Sequence, residues 1–170
     1  MRKIKKIYFI IIISIINSIL KGPRMFKIKR ILLNSIGIKI GQNTKVVGPL
    51  HIGTEAKLVI GDECWIGRDF KVDGNGKVII GNKCDLAPEI IVATGSREIG
   101  NNQRRAGLGT SYTTQIGDST WIGIRSTIIH GSNIGKGCII GACSLINKNI
   151  EKDLLVGGIP AKTLRNLNEK

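Results

Sequence analysis

The chain of 170 residues is poor in residue types that many functional sites need. Aromatic side chains make up 4% of it, and it has two histidines. Its four cysteines, at positions 64, 84, 138 and 143, include no CxxC pair, so a zinc site built from cysteines is not expected. Two histidines also exclude the class of enzyme that needs three around one zinc ion. We therefore expect no metal.

Acidic residues are missing from the first 39 positions. This stretch holds ten of the 26 Lys/Arg residues and so contributes +10 to a formal net charge of +14. No aromatic-rich basic groove follows in the rest of the chain, so nucleic acid is not the expected partner. The basic cluster lies beside an apolar run, a pattern that favours an anionic membrane surface contacted through residues 1–30.

The apolar run extends from Ile7 to Leu20 and is interrupted by Ser14, Asn17 and Ser18. It is shorter than the roughly 20 apolar residues that a membrane-spanning helix needs. We expect residues 1–39 to form a helical segment that lies on the inner membrane surface or against the domain. A short tilted span and a secretory signal are the alternatives, although no small-residue cleavage site follows the run.

A second amphipathic stretch, FKIKRILLNSIG (26–37), predicts a helix that caps the following domain and leaves its basic face free. Together with the charge pattern, this favours a cytoplasmic protein peripheral to the inner face of the cell membrane.

A six-residue repeat dominates the rest of the chain. An aliphatic residue opens each of fifteen hexads, which group into about five turns of 18 residues across positions 40–151. Such a period predicts an all-β parallel β-helix with three short strands per turn, in which the lead residues stack about 4.8 Å apart. The lead residues are Ile40, Val46, Ile52, Ile60, Ile66, Val72, Ile80, Leu86, Val92, Ile116, Ile122, Ile128, Ile134, Ile140 and Ile146.

Two other positions of the hexad are restricted. Glycine is frequent at the second position, which suits a corner where a side chain would clash or where φ must turn positive. The fifth position holds small residues and is expected to point inward. Cys64, Cys84 and Cys138 fall at this position, so we interpret them as buried structural residues, while Cys143 has no assignment.

Two motifs resemble one family. IGDSTWIGIRSTIIHGSNIGKGCIIGACSLINKNI (116–150) and GGIPAKTLR (157–165) are similar to the hexapeptide-repeat acyltransferases, in particular the serine-, maltose- and galactoside-acetyltransferase relatives that O-acetylate capsular and cell-surface polysaccharides. The resemblance covers residues 27–167. It implies a left-handed β-helix, a homotrimer, acetyl-CoA as the acetyl donor and active sites in the clefts between subunits. A sugar hydroxyl would be the acceptor.

The family's catalytic histidine lies in a loop that interrupts the third turn. Here that loop, residues 95–115, begins in TGSREIG (94–100), so Arg97 occupies the histidine position. The family histidine takes a proton from the acceptor hydroxyl, whereas a guanidinium stays protonated and has no acceptor atom. Three interpretations stay open: activity lost by a natural or engineered change, a substitute base, or else an unidentified base or a rearranged loop.

Glu89 is the candidate substitute base. It lies in APEI (87–90), where relatives often have an asparagine that holds the acceptor. We expect Glu89 either to pair with Arg97 or to act as the base while Arg97 binds an acidic acceptor such as a sialic or uronic acid. His51 and His130 are interpreted as surface residues.

The resemblance also implies donor and acceptor contacts. Trp121 would border the cleft, and it is grouped with Arg97 and Glu89 as a catalytic candidate. Residues 152–170 would form a tail that closes the CoA site, and Arg104 and Arg105 would contact an acidic glycan or brace the loop. The candidate CoA-binding residues are Trp121, Ala142, Asn147, Lys148, Lys162 and Arg165.

These features predict an acetyl-CoA-dependent O-acetyltransferase of surface-polysaccharide biosynthesis. Because of Arg97, two alternatives stay open. One is a catalytically silent trimer that binds CoA or glycan, and the other is a structural scaffold.

Overall fold

The computed structural model describes residues 2–169. Two helices, α1 (Arg2–Ser18) and α2 (Phe26–Ser35), precede a series of short strands. The first turn contains β1 (Lys39–Ile40), β2 (Lys45–Val46) and β3 (Leu50–Ile52), the second β4 (Lys57–Ile60), β5 (Trp65–Ile66) and β6 (Phe70–Asp73), and the third β7 (Lys77–Ile80), β8 (Asp85–Leu86) and β9 (Ile91–Ala93). A hairpin follows, made of β10 (Gly95–Ile99) and β11 (Ala106–Ser111). The remaining strands are β12 (Thr113–Ile116), β13 (Trp121–Ile122), β14 (Thr127–Ile128), β15 (Ile139–Ile140), β16 (Leu145–Ile146), β17 (Leu154–Gly158) and β18 (Ala161–Asn166).

The strands form three parallel sheets along a rod, which confirms the predicted parallel β-helix. Sheet A has the order β1-β4-β7-β12, sheet C has β16-β14-β9-β6-β3, and sheet B runs from β2 through β5, β8, β13 and β15 to β17 and β18. Sheet A continues through single bridges that join Ile116 to Ile134 and Ile134 to Ile150. The rod therefore has five three-sided turns and the start of a sixth, which the repeat alone did not reveal.

The hexad register matches the stacking. Ile40 pairs with Ile60, Ile60 with Ile80, and Ile80 with Ile116. All fifteen lead residues are buried, with at most 9% of each exposed. Removing each aliphatic side chain from water contributes about 1.5–3 kcal/mol, so these columns are the main source of the fold's stability.

Small polar side chains at the fifth position link one turn to the next. The thiols of Cys64, Cys84 and Cys138 are buried and donate to carbonyl oxygens of the following turn, at 3.1, 3.2 and 2.9 Å. Thr44 donates to the Gly61 carbonyl at 2.6 Å in the same way. Burial raises the pKa of the Cys138 thiol. The interpretation of these three cysteines as buried structural residues is confirmed.

The glycines at the second position are explained by a close approach and not by their φ angles. A Cβ on Gly67 would lie 2.6 Å from the backbone carbon of Ala87 in the next turn. The left-handed residues stand two places later, at Asp69 (φ 59°), Arg125 (φ 61°) and Cys143 (φ 57°). Cys143 is exposed because it occupies this outward corner position.

Helix α1 covers the open end of the first turn. Phe9, Ile12, Ile16 and Leu20 join the core of the rod. The side chain of Asn17 accepts from the Leu50 backbone N–H at 2.8 Å and donates to its carbonyl at 2.7 Å, so it replaces strand partners that the first turn lacks. Among residues 2–169, no helix combines the length and apolar character needed to cross a membrane.

Helix α2 does not leave all its basic residues free, contrary to the expectation from its sequence. Lys29 is fully buried. Its Nζ donates to the carbonyls of Gly22 at 2.6 Å and Val47 at 2.8 Å, and it lies 5.1 Å from the centroid of the Phe26 ring. Burial lowers the pKa of Lys29 to about 8. This lysine ties the helical segment to the rod.

Candidate active site

The projecting hairpin is anchored where it leaves the third turn. Thr94 is buried, and its hydroxyl donates to the Asp73 carbonyl at 2.8 Å and accepts from the Gly76 N–H at 3.0 Å. Tyr112 closes the hairpin, with its backbone N–H donating to the Thr94 carbonyl at 2.7 Å. The hairpin itself spans 95–111, because Thr113–Ile116 already belong to β12 of the rod.

Arg97 lies on the exposed hairpin strand β10. It pairs in register with Gly109, and its Nη1 donates to the Gly107 carbonyl at 3.1 Å. Among the described residues the guanidinium makes no other hydrogen bond, so most of its five N–H groups remain available to bind a ligand. The side chain can bind or stabilise negative charge, but it cannot accept a proton.

Glu89 does not pair with Arg97, contrary to one of the sequence-based expectations. Within residues 2–169 its ion pairs are with two other arginines: Oε2 lies 2.7 Å from Nε of Arg125, and Oε1 lies 3.4 Å from Nη2 of Arg68. The hydrogen bond from Arg125 raises the pKa of that guanidinium. Both carboxylate oxygens of Glu89 therefore already accept hydrogen bonds.

The two histidines are exposed, and within residues 2–169 neither makes a hydrogen bond or ion pair with Glu89 or Arg97. His51 Nε2 is 3.3 Å from a carboxylate oxygen of Asp69. The His130 ring packs edge-on against Tyr112, with ring centroids 6.3 Å apart. Tyr112 thus connects His130 to the base of the hairpin.

The outer face of sheet B brings together two of the candidate donor residues. Register pairs Trp121 with Ile139, Ile139 with Leu155, and Leu155 with Arg165. We call Trp121, Ile139, Leu155 and Arg165 the sheet-B row. With strands about 4.8 Å apart, Trp121 and Arg165 are separated by about 14 Å. Trp121 is 56% exposed, so its indole is open to a ligand.

The other donor candidates are spread around the rod. Lys162 lies on β18 opposite Gly157. Ala142 follows β15 at a corner, whereas Asn147 and Lys148 follow β16 of sheet C, and all four residues are exposed. A single chain does not place all of these residues on one face.

The hairpin arginines have different positions. Arg104 lines a concave surface of about 430 Å³ together with Arg97, Asn101 and Leu108. Arg105 instead directs Nη1 to the Gly100 carbonyl at 3.4 Å. This contact is of the kind that bracing the loop requires, and the role of Arg105 stays a prediction.

Sequence reasoning missed Arg125, Tyr112 and Thr94 as residues of this site. Arg125 precedes the fifth, inward position of its hexad by one residue, which places it at the outward corner one turn beyond Glu89. Applying the repeat across the insertion could have revealed this pair.

Nothing in the part of the chain that the structure describes groups three His, Cys, Asp or Glu side chains as a metal site.

Comparisons with known proteins agree with the fold. Residues 113–148 match the family model described as bacterial transferase hexapeptide (six repeats). A putative acetyltransferase of Saccharomyces cerevisiae is 31% identical over 72% of this chain and 62% of its own length, so the chain spans less than two thirds of that relative. The galactoside O-acetyltransferase of Escherichia coli is 24% identical over 82% of this chain and 68% of its own.

A solved structure extends the match. The hexapeptide-repeat acetyltransferase VCA0836 of Vibrio cholerae, complexed with acetyl coenzyme A, superposes with a TM-score of 0.83 at 25% identity, over 98% of this chain and 89% of that one. The repeat, its stacking and these matches agree. Residues 113–148 thus carry the hexapeptide repeat of this transferase family, and the same stacking extends along the rest of the rod.

Proposed function

We propose that this protein is an acetyltransferase that moves the acetyl group of acetyl-CoA to a hydroxyl of a sugar in surface-polysaccharide assembly. The observation that carries the proposal is a rod that superposes over nearly its whole length on an acetyltransferase solved with acetyl-CoA. A relative that acts on galactosides supports a sugar as the acceptor.

The sheet-B row fits an acyl-CoA. The donor is long and extended, with an apolar arm at one end and phosphates at the other. Trp121, Ile139 and Leu155 offer an apolar strip, and Arg165 at its end offers a charge-assisted donor for phosphate. Lys162, on the same strand as Arg165, adds a second cation. CoA supplies the activated thioester, while these residues bind and orient it.

A homotrimer would complete the donor site. Asn147 and Lys148 follow β16 of sheet C, on a different face of the rod from the sheet-B row, whereas Ala142 lies at the corner beside that row. Packing the corner of one rod against sheet B of a second copy would bring the two sets together. Light scattering should then give three times the mass of the chain.

Arg97 and Glu89 would act on the acceptor, in the cleft beside Trp121. In acetyl transfer, negative charge develops on the thioester oxygen while the acceptor hydroxyl loses its proton. Arg97 would hold the acceptor through its guanidinium. Glu89 is the candidate to accept the proton, although Arg68 and Arg125 must first release one of its oxygens.

A catalytically silent trimer that binds CoA or glycan is the second candidate function. Two observations favour it: a guanidinium stands at position 97, and the carboxylate of Glu89 is engaged by two arginines. Among the described residues, neither histidine contacts either group.

The two functions are separated by measuring acetyl transfer from radiolabelled acetyl-CoA to galactosides and acidic glycans. The unmodified chain, an Arg97→His variant and a control Lys57→His variant, changed on the exposed side of sheet A, would be compared. Transfer by the unmodified chain supports the enzyme. Transfer by Arg97→His alone supports the silent homologue. Failure to bind acetyl-CoA or either glycan in calorimetry overturns both and favours a scaffold.

We further propose that α1 lies on an anionic membrane surface in the cytoplasm. Opposite its core face, Ile4, Ile7 and Ile11 are 71%, 58% and 49% exposed, beside the lysines of the first turn. Replacing these three isoleucines with serine should release the protein from phosphatidylglycerol vesicles without unfolding it, because the core face stays intact. Equal sedimentation of both proteins with the vesicles would contradict this.

A further inference from the structure

The concave surface on the hairpin has the features of a binding site for an anion. It encloses about 430 Å³ and is lined by backbone of Gly100, Gly107 and Gly109 and by the side chains of Arg97 and Arg104. Glycine leaves the backbone open to close approach by a ligand. Leu108, which is 75% exposed, adds an apolar surface of the kind that the C–H face of a sugar ring can cover.

The positive charge of this surface is not neutralised. Within residues 2–169, Arg97 bonds to a carbonyl and the Arg104 side chain has no hydrogen bond or ion pair. Glu98 is the acidic residue of the hairpin. It is not one of the residues that line the concave surface.

The turn at the tip of the hairpin is held in shape without the Arg104 side chain. The Asn101 carboxamide oxygen accepts from the N–H groups of Gln103 and Arg104, at 3.1 and 3.0 Å, and forms the turn. Arg105 bonds to Gly100 across the same turn. The guanidinium of Arg104 is thus displayed by a turn whose geometry it does not maintain.

We propose that this hairpin surface binds an anionic group on the acceptor sugar, with Arg97 and Arg104 as the binding residues. The proposal rests on the proposed function for the identity of the ligand as a sugar. A guanidinium group binds the oxygens of a carboxylate and of a phosphate in the same bidentate way. The ligand is therefore an acidic sugar that carries one of these two groups. Arg97 then selects the acceptor, which accounts for a permanent cation at this position.

Three methyl glycosides with the same ring test the proposal: methyl galactoside, methyl galacturonate and methyl galactoside 6-phosphate. Each would be titrated into the full-length protein while the arginine Nε–H resonances of the labelled chain are followed by NMR. We expect at least one acidic glycoside to bind about tenfold or more tightly than the neutral one, since a hydrogen bond to a charged group contributes about 1.5–3 kcal/mol. The Nε–H signals of Arg97 and Arg104 should shift.

Arg104→Gln and Arg97→Gln should each remove this preference, and Lys57→Gln, which loses the same charge on sheet A, should retain it. Whichever acidic glycoside binds more tightly identifies the anion as carboxylate or phosphate. Equal binding of all three glycosides, or a preference unchanged by Arg104→Gln, would overturn the proposal. Acetyl transfer to neutral galactosides is measured separately, so failure of the anion site and failure of the proposed enzyme give different results.

Discussion

The rod and the hairpin are both β-structure, yet they are stabilised in different ways. In the rod, side chains such as Ile122 are completely buried between equivalent residues of adjacent turns. In the hairpin, Ile99 and Leu108 are 90% and 75% exposed, and the backbone pairing of β10 with β11 provides the order. The comparison indicates that the rod supplies stability, whereas the hairpin can change its side chains, including Arg97, at little cost to folding.

The largest expected effect comes from shortening one aliphatic residue in each region. Ile122→Ala should lower the free energy of unfolding by about 2–5 kcal/mol, because it leaves a cavity in a packed column. Ile99→Ala on the hairpin should change it by less than about 0.5 kcal/mol. Urea unfolding followed by circular dichroism measures both, and similar losses would refute the division between rod and hairpin.

Glycine substitutions give the next largest contrast. A Cβ at Gly67 would meet backbone of the next turn at 2.6 Å, whereas one at Gly109 would find nothing within 4 Å. Gly67→Ala should destabilise the fold by about 1–3 kcal/mol through overpacking, with Gly109→Ala close to neutral. Thermal unfolding of the two variants checks this, and a tolerated alanine at 67 would show that the turns can move apart.

Among the described residues, one buried polar side chain of the rod lowers the stability of the fold. Thr114 is buried, and its hydroxyl has no hydrogen-bond partner within residues 2–169. Thr114→Val should therefore stabilise the protein by about 1 kcal/mol. The control Thr44→Val should destabilise it, because the Thr44 hydroxyl donates to Gly61 and accepts from the Cys64 N–H at 3.0 Å. If the urea midpoints of Thr114→Val and Thr44→Val moved in the same direction, the interpretation of the Thr114 hydroxyl as unsatisfied would be wrong.

Unfolding at two pH values distinguishes the buried cation from the hairpin cations. The folded pKa of Lys29 lies near 8, below its ordinary value of 10.5, so the unfolded chain binds more protons between these two pH values. Raising the pH through that window should stabilise the folded state, with a slope of at most about 1.4 kcal/mol per pH unit for one proton. Lys29→Met should remove this part of the slope and Arg104→Met should not, as urea unfolding at pH 7.5 and 9.5 would show. An unchanged slope in Lys29→Met would contradict the prediction.

The difference between the rod and the hairpin also explains which features of the structure the sequence could predict. The aliphatic period identifies burial directly, so the lead residues and the three inward cysteines were predicted one by one. The sixth turn was missed because the register slips between Ile146 and Ile150 and only one further hexad spacing, from Ile150 to Val156, follows; both residues are buried. The Glu89–Arg125 pair was missed because the hairpin separates its members by 36 positions in the chain. Lys29 was wrongly expected at the surface, since burial of its amine depends on two carbonyls distant in sequence.

The elements that cover the two ends of the rod affect how copies of this protein can assemble. A stack of parallel turns could in principle be extended by any further chain with free backbone groups at an edge. Here α1 and Asn17 cover the first turn, and β18 pairs antiparallel with β17 against the last. Parallel stacking is thereby interrupted in sheet C at the first turn and in sheet B at the last, so association through the sides of the rod fits the proposed homotrimer.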